Sequence, residues 1–298
     1  MNTTSNAFSV ALVQMAMGAD PEANMRRAMD RIRAAAREGA QVIALPEMFR
    51  TPYFCQREDP SFFNLAEPVP GPSTDALASL AAELGVVIAA PLFERRAPGV
   101  YHNTLAMLDA DGSLLGAYRK LHIPDDPAFY EKYYFTPGDL GCRVFRTRFG
   151  RIGALICWDQ WFPEVARLTA MAGADVLLYP TAIGWHPGDP AAVQSEQLEA
   201  WRAVQRGHAV ANGVYVAAVN RTGFEPAPGG DGLRFWGRSF AYDPFGVPLA
   251  EAGDAEETLR FTVQPERIES IRRLWPFWRD RRVDLFGDLS QRWMDPGD

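Results

Sequence analysis

Apolar and polar positions along this chain follow two alternating periods. Short, mostly apolar runs predict buried strands at Phe8–Met15, Gln41–Leu45, Val86–Leu92, Asp175–Tyr179 and Val214–Val219. Between them the apolar residues recur at helical spacing. Asp20-Pro21 opens one such stretch, which predicts a helix over Pro21–Arg37 with Met25, Ala28, Met29, Ile32 and Ala35 on one face. Others are predicted over Pro72–Leu84, closed by Gly85, over Pro163–Met171, and over Pro190–Ala211, with Leu198, Trp201, Val204 and His208 on one face. Asp111-Gly112, Phe149-Gly150 and Asp243-Pro244-Phe245-Gly246 each separate two short strand-like runs and read as hairpin turns. A strand at Thr258–Val263 and a helix over Pro265–Leu274 complete the pattern. Two halves rich in strand–helix units predict two packed sheets with helices on the outer faces. No linker interrupts them, so one domain is expected over residues 1–298. The tail Trp275–Met294 is rich in Trp, Phe and Arg and is expected to pack, on a second subunit for instance.

Composition narrows the function. The chain has 298 residues, 47% hydrophobic and 22% charged, enough for a large core. A net charge of -7 without a basic run argues against nucleic acid or an anionic membrane as partner, and suits a cationic ligand. No apolar run approaches the ~20 residues of a membrane helix. Three cysteines without metal-type spacing argue against a disulfide framework and for a reducing, cytoplasmic setting.

Four residues then stand out. Cys157 lies between the apolar run Ile152–Ile156 and the helix opened by Pro163. A strand-to-helix turn lifts a side chain off the sheet end and helps a thiol ionise. The alternative is a small buried hydrophobe. Glu47 follows a buried strand and Pro46, as either a surface cap or a site residue. Lys120 ends a strand, as either an exposed lysine or a fixed positive charge favouring thiolate and stabilising an oxyanion. Glu131 sits among Phe129, Tyr130, Tyr133 and Tyr134, so it points inward. It is either half of a core salt bridge or a carboxylate that positions Lys120. The four histidines show no metal spacing, and His208 reads as a packed, hydrogen-bonded residue.

L-P-E-M-F at Glu47, Y-R-K-L-H-I-P at Lys120 and I-C-W-D-Q-W-F-P-E at Cys157 together resemble the three signatures of the nitrilase superfamily. The resemblance covers the chain to about Val263. Its closest likeness is to the N-carbamoylputrescine amidohydrolases, through H-I-P-D-D-P-A-F-Y-E-K-Y-Y-F-T-P-G-D, Y-P-T-A-I-G and R-G-H-A-V-A-N. It implies a four-layer α-β-β-α sandwich, at least a dimer, and cleavage of non-peptide C–N bonds without metal or cofactor. By the same resemblance Cys157 is the nucleophile and Glu47 the general base. Lys120 and the backbone N–H of Trp158 bind the oxyanion, and Glu131 holds Lys120 and the substrate nitrogen. Carbamoyl-amino-acid hydrolases carry arginines where this chain has Gln160 and Trp161, so an anionic substrate is disfavoured.

The expected substrate is therefore a small cationic carbamoyl amine. Tyr53, Phe54, Tyr130, Trp158 and Trp185 either wall a slot for its chain or are plain core. Asp125, Asp126 and Glu164 are candidates for its distal amine, with no spacing to choose among them. The rival expectations are an aliphatic amidase, a nitrilase, a carbamoyl-amino-acid hydrolase, or a dimeric interaction scaffold without activity.

Overall fold

The computed structural model describes residues 7–227 and 229–294. The first half runs β1 (Phe8–Gln14), α1 (Pro21–Arg37), β2 (Val42–Ala44), α2 (Pro72–Leu84), β3 (Val87–Ala97), β4 (Val100–Leu108) and β5 (Leu114–Arg119). A one-turn helix α3 (Glu131–Tyr134) leads to β6 (Arg143–Arg146), β7 (Arg151–Ala154), α4 (Pro163–Met171), β8 (Val176–Thr181), β9 (Gly184–Trp185), α5 (Ala191–Asn212) and β10 (Tyr215–Asn220). Then follow β11 (Thr222–Glu225), β12 (Leu233–Trp236), β13 (Phe240–Tyr242), β14 (Pro248–Glu251), β15 (Glu257–Val263) and α6 (Pro265–Leu274).

Two six-stranded sheets form, in the orders β15-β1-β2-β3-β4-β5 and β14-β13-β10-β8-β7-β6. The parallel pairs β1–β2–β3 and β7–β8–β10 sit at their centres. Because side chains alternate along a strand, Val10 and Leu12 of β1 join the core between the sheets, with Ile152, Val176 and Leu178. Ala11 and Val13 face the other way, onto Met25 and Ile32 of α1 and Leu77 and Leu80 of α2. On the far side α4 packs on β7 and β8, and α5 on β10. The result is the α-β-β-α sandwich.

Local signals set the helix ends. Asp20 accepts the Glu22 N–H at 2.9 Å, Pro21 takes the first turn, and Gly85 closes α2 at φ 66°. β3 and β4 are longer than the apolar runs predict, because Glu94 is carried into the interior by its pairing with Arg119 (2.6 and 2.8 Å). A small third sheet, β11-β12-β9, was not anticipated. The tail packs partly on its own chain: the Trp278 indole donates to Asn212 O at 2.9 Å and lies among Arg167, Arg272 and Arg281. Beyond it Leu285, Leu289 and Trp293 are exposed. Among the described residues no helix is long and apolar enough to cross a membrane.

Candidate active site

Strand ends bring the site together. Glu47 follows β2 by three residues, Lys120 follows β5 directly, Glu131 opens α3, and Cys157 follows β7 by three residues. All four are buried. Lys120 Nζ donates to Glu47 Oε1 at 2.8 Å and to Glu131 Oε2 at 2.6 Å. Asn103 Nδ2 of β4 gives Glu47 Oε1 a second bond at 2.7 Å. Glu47 Oε2 is buried with no hydrogen-bond partner among the described residues. The other oxygen of Glu131, Oε1, accepts the Tyr53 hydroxyl at 2.8 Å.

The backbone after Glu47 is also held. Arg221, fully buried between β10 and β11, reaches the carbonyls of Glu47 and Met48 at 3.4 and 3.3 Å and of Thr51 at 2.9 Å. Its charge is balanced by Glu225. This fixes a bend in which Met48 takes a positive φ of 49°.

Cys157 has a φ of 42° and opens a single 3₁₀ turn, Cys157–Trp161. A left-handed conformation at a non-glycine residue persists only where the surroundings enforce it. Here Asp159 does so. Its Oδ2 accepts the Ile156 N–H at 3.0 Å and the Tyr118 hydroxyl at 2.6 Å, and its Oδ1 accepts the His122 N–H and ring Nδ1 at 3.0 and 2.8 Å. Tyr118 and His122 flank Lys120 by two residues on either side. One carboxylate therefore ties the strand end that carries the lysine to the turn that carries the thiol.

Electrostatics qualify the expectation for sulfur. A turn beside an ammonium was expected to favour thiolate, but burial pushes the Cys157 thiol well above its ordinary 9.0. Glu47 adds to that rise, and Lys120 opposes it. Burial and Glu47 thus both favour the neutral thiol. For Lys120, burial acts to lower the pKa, yet Glu131 and Glu47 more than offset it and hold the ammonium. Burial raises Glu131 to about 7, against the pull of Lys120.

A cavity of about 360 Å³ opens onto Cys157 and Glu131. Trp158 lines it, as do Phe129, Trp161 and Trp236. Tyr53, Phe54, Tyr130 and Trp185 are not among its lining residues. Tyr53 lies behind Glu131, and the Tyr130 N–H is spent on Cys55 O at 2.9 Å. Of the acidic candidates, Asp126 reaches the cavity, whereas Asp125 and Glu164 do not; Asp189, which no sequence signal marked, does. Gln160 turns away into α5, where Trp201 Nε1 and Gln205 Nε2 donate to its side chain and His208 Nε2 donates to its carbonyl. Among the described residues lining the cavity there is no lysine or arginine. None of the His, Cys, Asp and Glu groups among the described residues is arranged in a cluster of three or more that could hold a metal.

Asn103, Asp159 and Arg221 complete the arrangement. Each has polar neighbours in sequence (His102 and Thr104, Gln160, Asn220 and Thr222), so the local string marks neither its burial nor its partner.

A family model described as carbon-nitrogen hydrolase matches residues 9–273. The chain is 45% identical to an N-carbamoylputrescine amidase of Solanum lycopersicum over 96% of each chain. It is 38% identical to a citrullinase of Francisella tularensis, over 96% of this chain and 99% of that one. The crystal structure of a carbon-nitrogen hydrolase from Helicobacter pylori G27 superposes with a TM-score of 0.94 at 42% identity, covering 97% of this chain and 100% of that one. With a match across most of its length, this chain belongs to the carbon-nitrogen hydrolase family of the nitrilase superfamily, and is a hydrolase of carbon–nitrogen bonds.

Proposed function

We propose that this hydrolase cleaves the ureido C–N bond of a small cationic carbamoyl amine, N-carbamoylputrescine first, to give putrescine, carbon dioxide and ammonia. The observation that carries the reading is a cavity reaching Cys157 whose lining holds three carboxylates, Asp126, Glu131 and Asp189, and neither lysine nor arginine. Such a wall favours a cation and rejects a free carboxylate. The plant amidases at 42–45% identity support the same choice.

In this scheme Glu47 Oε2, the oxygen without a hydrogen-bond partner among the described residues, takes the thiol proton as Cys157 Sγ attacks the ureido carbon. A neutral thiol needs that base at the moment of attack. Lys120 Nζ and the Trp158 N–H receive the developing oxyanion. Glu131 keeps Lys120 aimed and meets the substrate nitrogen. The C–N bond breaks, Glu47 returns its proton to the departing ammonia, and an N-alkylcarbamoyl thioester remains. Water, deprotonated by Glu47, then displaces sulfur. The released carbamate divides into carbon dioxide and the amine.

The test is ammonia release from N-carbamoylputrescine beside citrulline, N-carbamoyl-β-alanine, simple amides and nitriles. Turnover of N-carbamoyl-β-alanine but not of the amine overturns the substrate choice. Three free cysteines suit a reducing compartment such as the cytoplasm. The exposed Leu285, Leu289 and Trp293 suit burial against a second copy of the chain, which light scattering of the purified protein tests.

A further inference from the structure

Part of the cavity wall is a turn that continues β9. The His186 N–H donates to Asp189 Oδ2 at 3.1 Å, and the Asp189 N–H donates back to His186 O at 3.0 Å. Gln194 Nε2, in the first turn of α5, donates to Asp189 O at 2.9 Å. The turn also meets another lining residue, since the His186 ring meets Phe129 edge-on with centroids 6.3 Å apart. Asp189 is half-buried, so its charge is only partly screened by water. None of these bonds uses its second oxygen, Oδ1.

The other two lining carboxylates differ. Glu131 belongs to the reacting end of the cavity, where its oxygens meet Lys120 and Tyr53. Asp126 is exposed, and the bonds that anchor its segment run through its backbone. Asp189 is the lining carboxylate that is both anchored and uncommitted. Trp158, Trp161 and Trp236 supply apolar wall for a methylene chain.

We infer that Asp189 receives the ammonium at the far end of the substrate and sets the preference for a terminal cation. The inference rests on the carbamoyl-amine reading above. A carboxylate fixed before binding loses little freedom on meeting an ammonium, and the bond is charge-assisted.

The test compares N-carbamoylputrescine with N-pentylurea, the same chain with a methyl group in place of the ammonium. In Asp189→Asn, KM for N-carbamoylputrescine should rise about tenfold or more, with kcat little changed, while N-pentylurea is handled as by the wild type. Asp189→Ser, which keeps an acceptor for the His186 N–H, should behave the same way. Asp126→Asn, at an exposed carboxylate, should raise KM for N-carbamoylputrescine less than either Asp189 variant does. Turnover of N-pentylurea at the wild-type rate shows that each variant is folded. The inference is overturned if both Asp189 variants treat the two substrates as the wild type does, if both lose them equally, or if Asp126→Asn carries the selective loss. Failure of the wild type itself on N-carbamoylputrescine, with N-pentylurea still hydrolysed, sinks the substrate reading and this inference with it. A loss confined to the variants bears on Asp189 alone.

Discussion

Tyr53 donates its hydroxyl to Glu131 across 2.8 Å, on the oxygen that Lys120 does not use. The carboxylate is thus gripped at both ends, and the bond from Tyr53 helps keep it ionised. Tyr53→Phe leaves a buried acceptor short of a donor, at a cost of about 1–3 kcal/mol of stability. It should also raise the Glu131 pKa above about 7. The acid limb of kcat/KM then moves to higher pH, with little change in KM. A pH–rate profile of the variant decides it; an unmoved limb with unchanged kcat would mean that Tyr53 only fills space.

Glu131 itself makes stability depend on pH. Its carboxyl is raised from 4.5 to about 7 in the folded chain, chiefly by burial. Between those values the folded state holds a proton that the unfolded chain has released. The contribution of Glu131 is therefore fully present below pH 4.5 and is lost as the pH climbs through about 7. Glu131→Gln removes that titration, so the variant should gain on the wild type in melting temperature between pH 4.5 and 7. A difference that stays constant across the window would show that Glu131 does not titrate there.

Much of this was readable beforehand, for identifiable reasons. Helix starts at Asp20-Pro21 and Pro72, and the stop at Gly85, are local decisions, and α1 and α2 begin and end where their caps and prolines stand. The central strands are buried on both faces, which makes them continuous apolar runs. Charge at a strand end left Glu47 and Lys120 open between surface and site, and the resemblance of their motifs assigned the roles; Glu131 stood out because it lies among aromatics. What escaped depends on contacts distant in sequence. β9 has two residues, and its pairing with β12 lies about fifty positions away. Asp189 is held in its turn by His186 and Gln194 close by, but that turn continues β9, whose pairing with β12 the local string does not announce. The thiol's ionisation was misjudged because burial outweighs the nearby lysine, and the depth of burial is not written in the local string.

Glu47 acts on Cys157 in two opposed ways, and they separate experimentally. As a base it promotes attack; as a neighbouring negative charge it helps keep the thiol protonated. Glu47→Gln should lower kcat by about 10²–10⁴-fold. The same change should speed alkylation of Cys157 by iodoacetamide at neutral pH, because one of the causes raising its pKa is gone. In the wild type, alkylation should climb with pH through 9.0 without levelling off below it. A plateau near neutrality would mean that a standing thiolate exists and that the base is not needed for the first step.

Asp159 offers the sharpest separation of geometry from chemistry. It touches none of Glu47, Lys120 or Glu131, yet its four accepted bonds join Tyr118 and His122, on either side of Lys120, to Ile156, just before Cys157. Asp159→Asn is nearly isosteric, but its amide must turn an NH₂ towards donors on one side or the other. Two bonds are lost and two N–H or O–H groups confront another donor, which costs about 2–4 kcal/mol in a buried site. The turn with Cys157 at φ 42° then loses the group that enforces it. Turnover should fall by about tenfold or more, since sub-ångström misplacement of a nucleophile is expensive. The pH profile should keep the wild-type limb, because Glu131 and its partners are untouched. Melting and kinetics together distinguish the cases: a variant that melts lower yet turns over at the wild-type rate would show that the tie between lysine and thiol serves the fold alone.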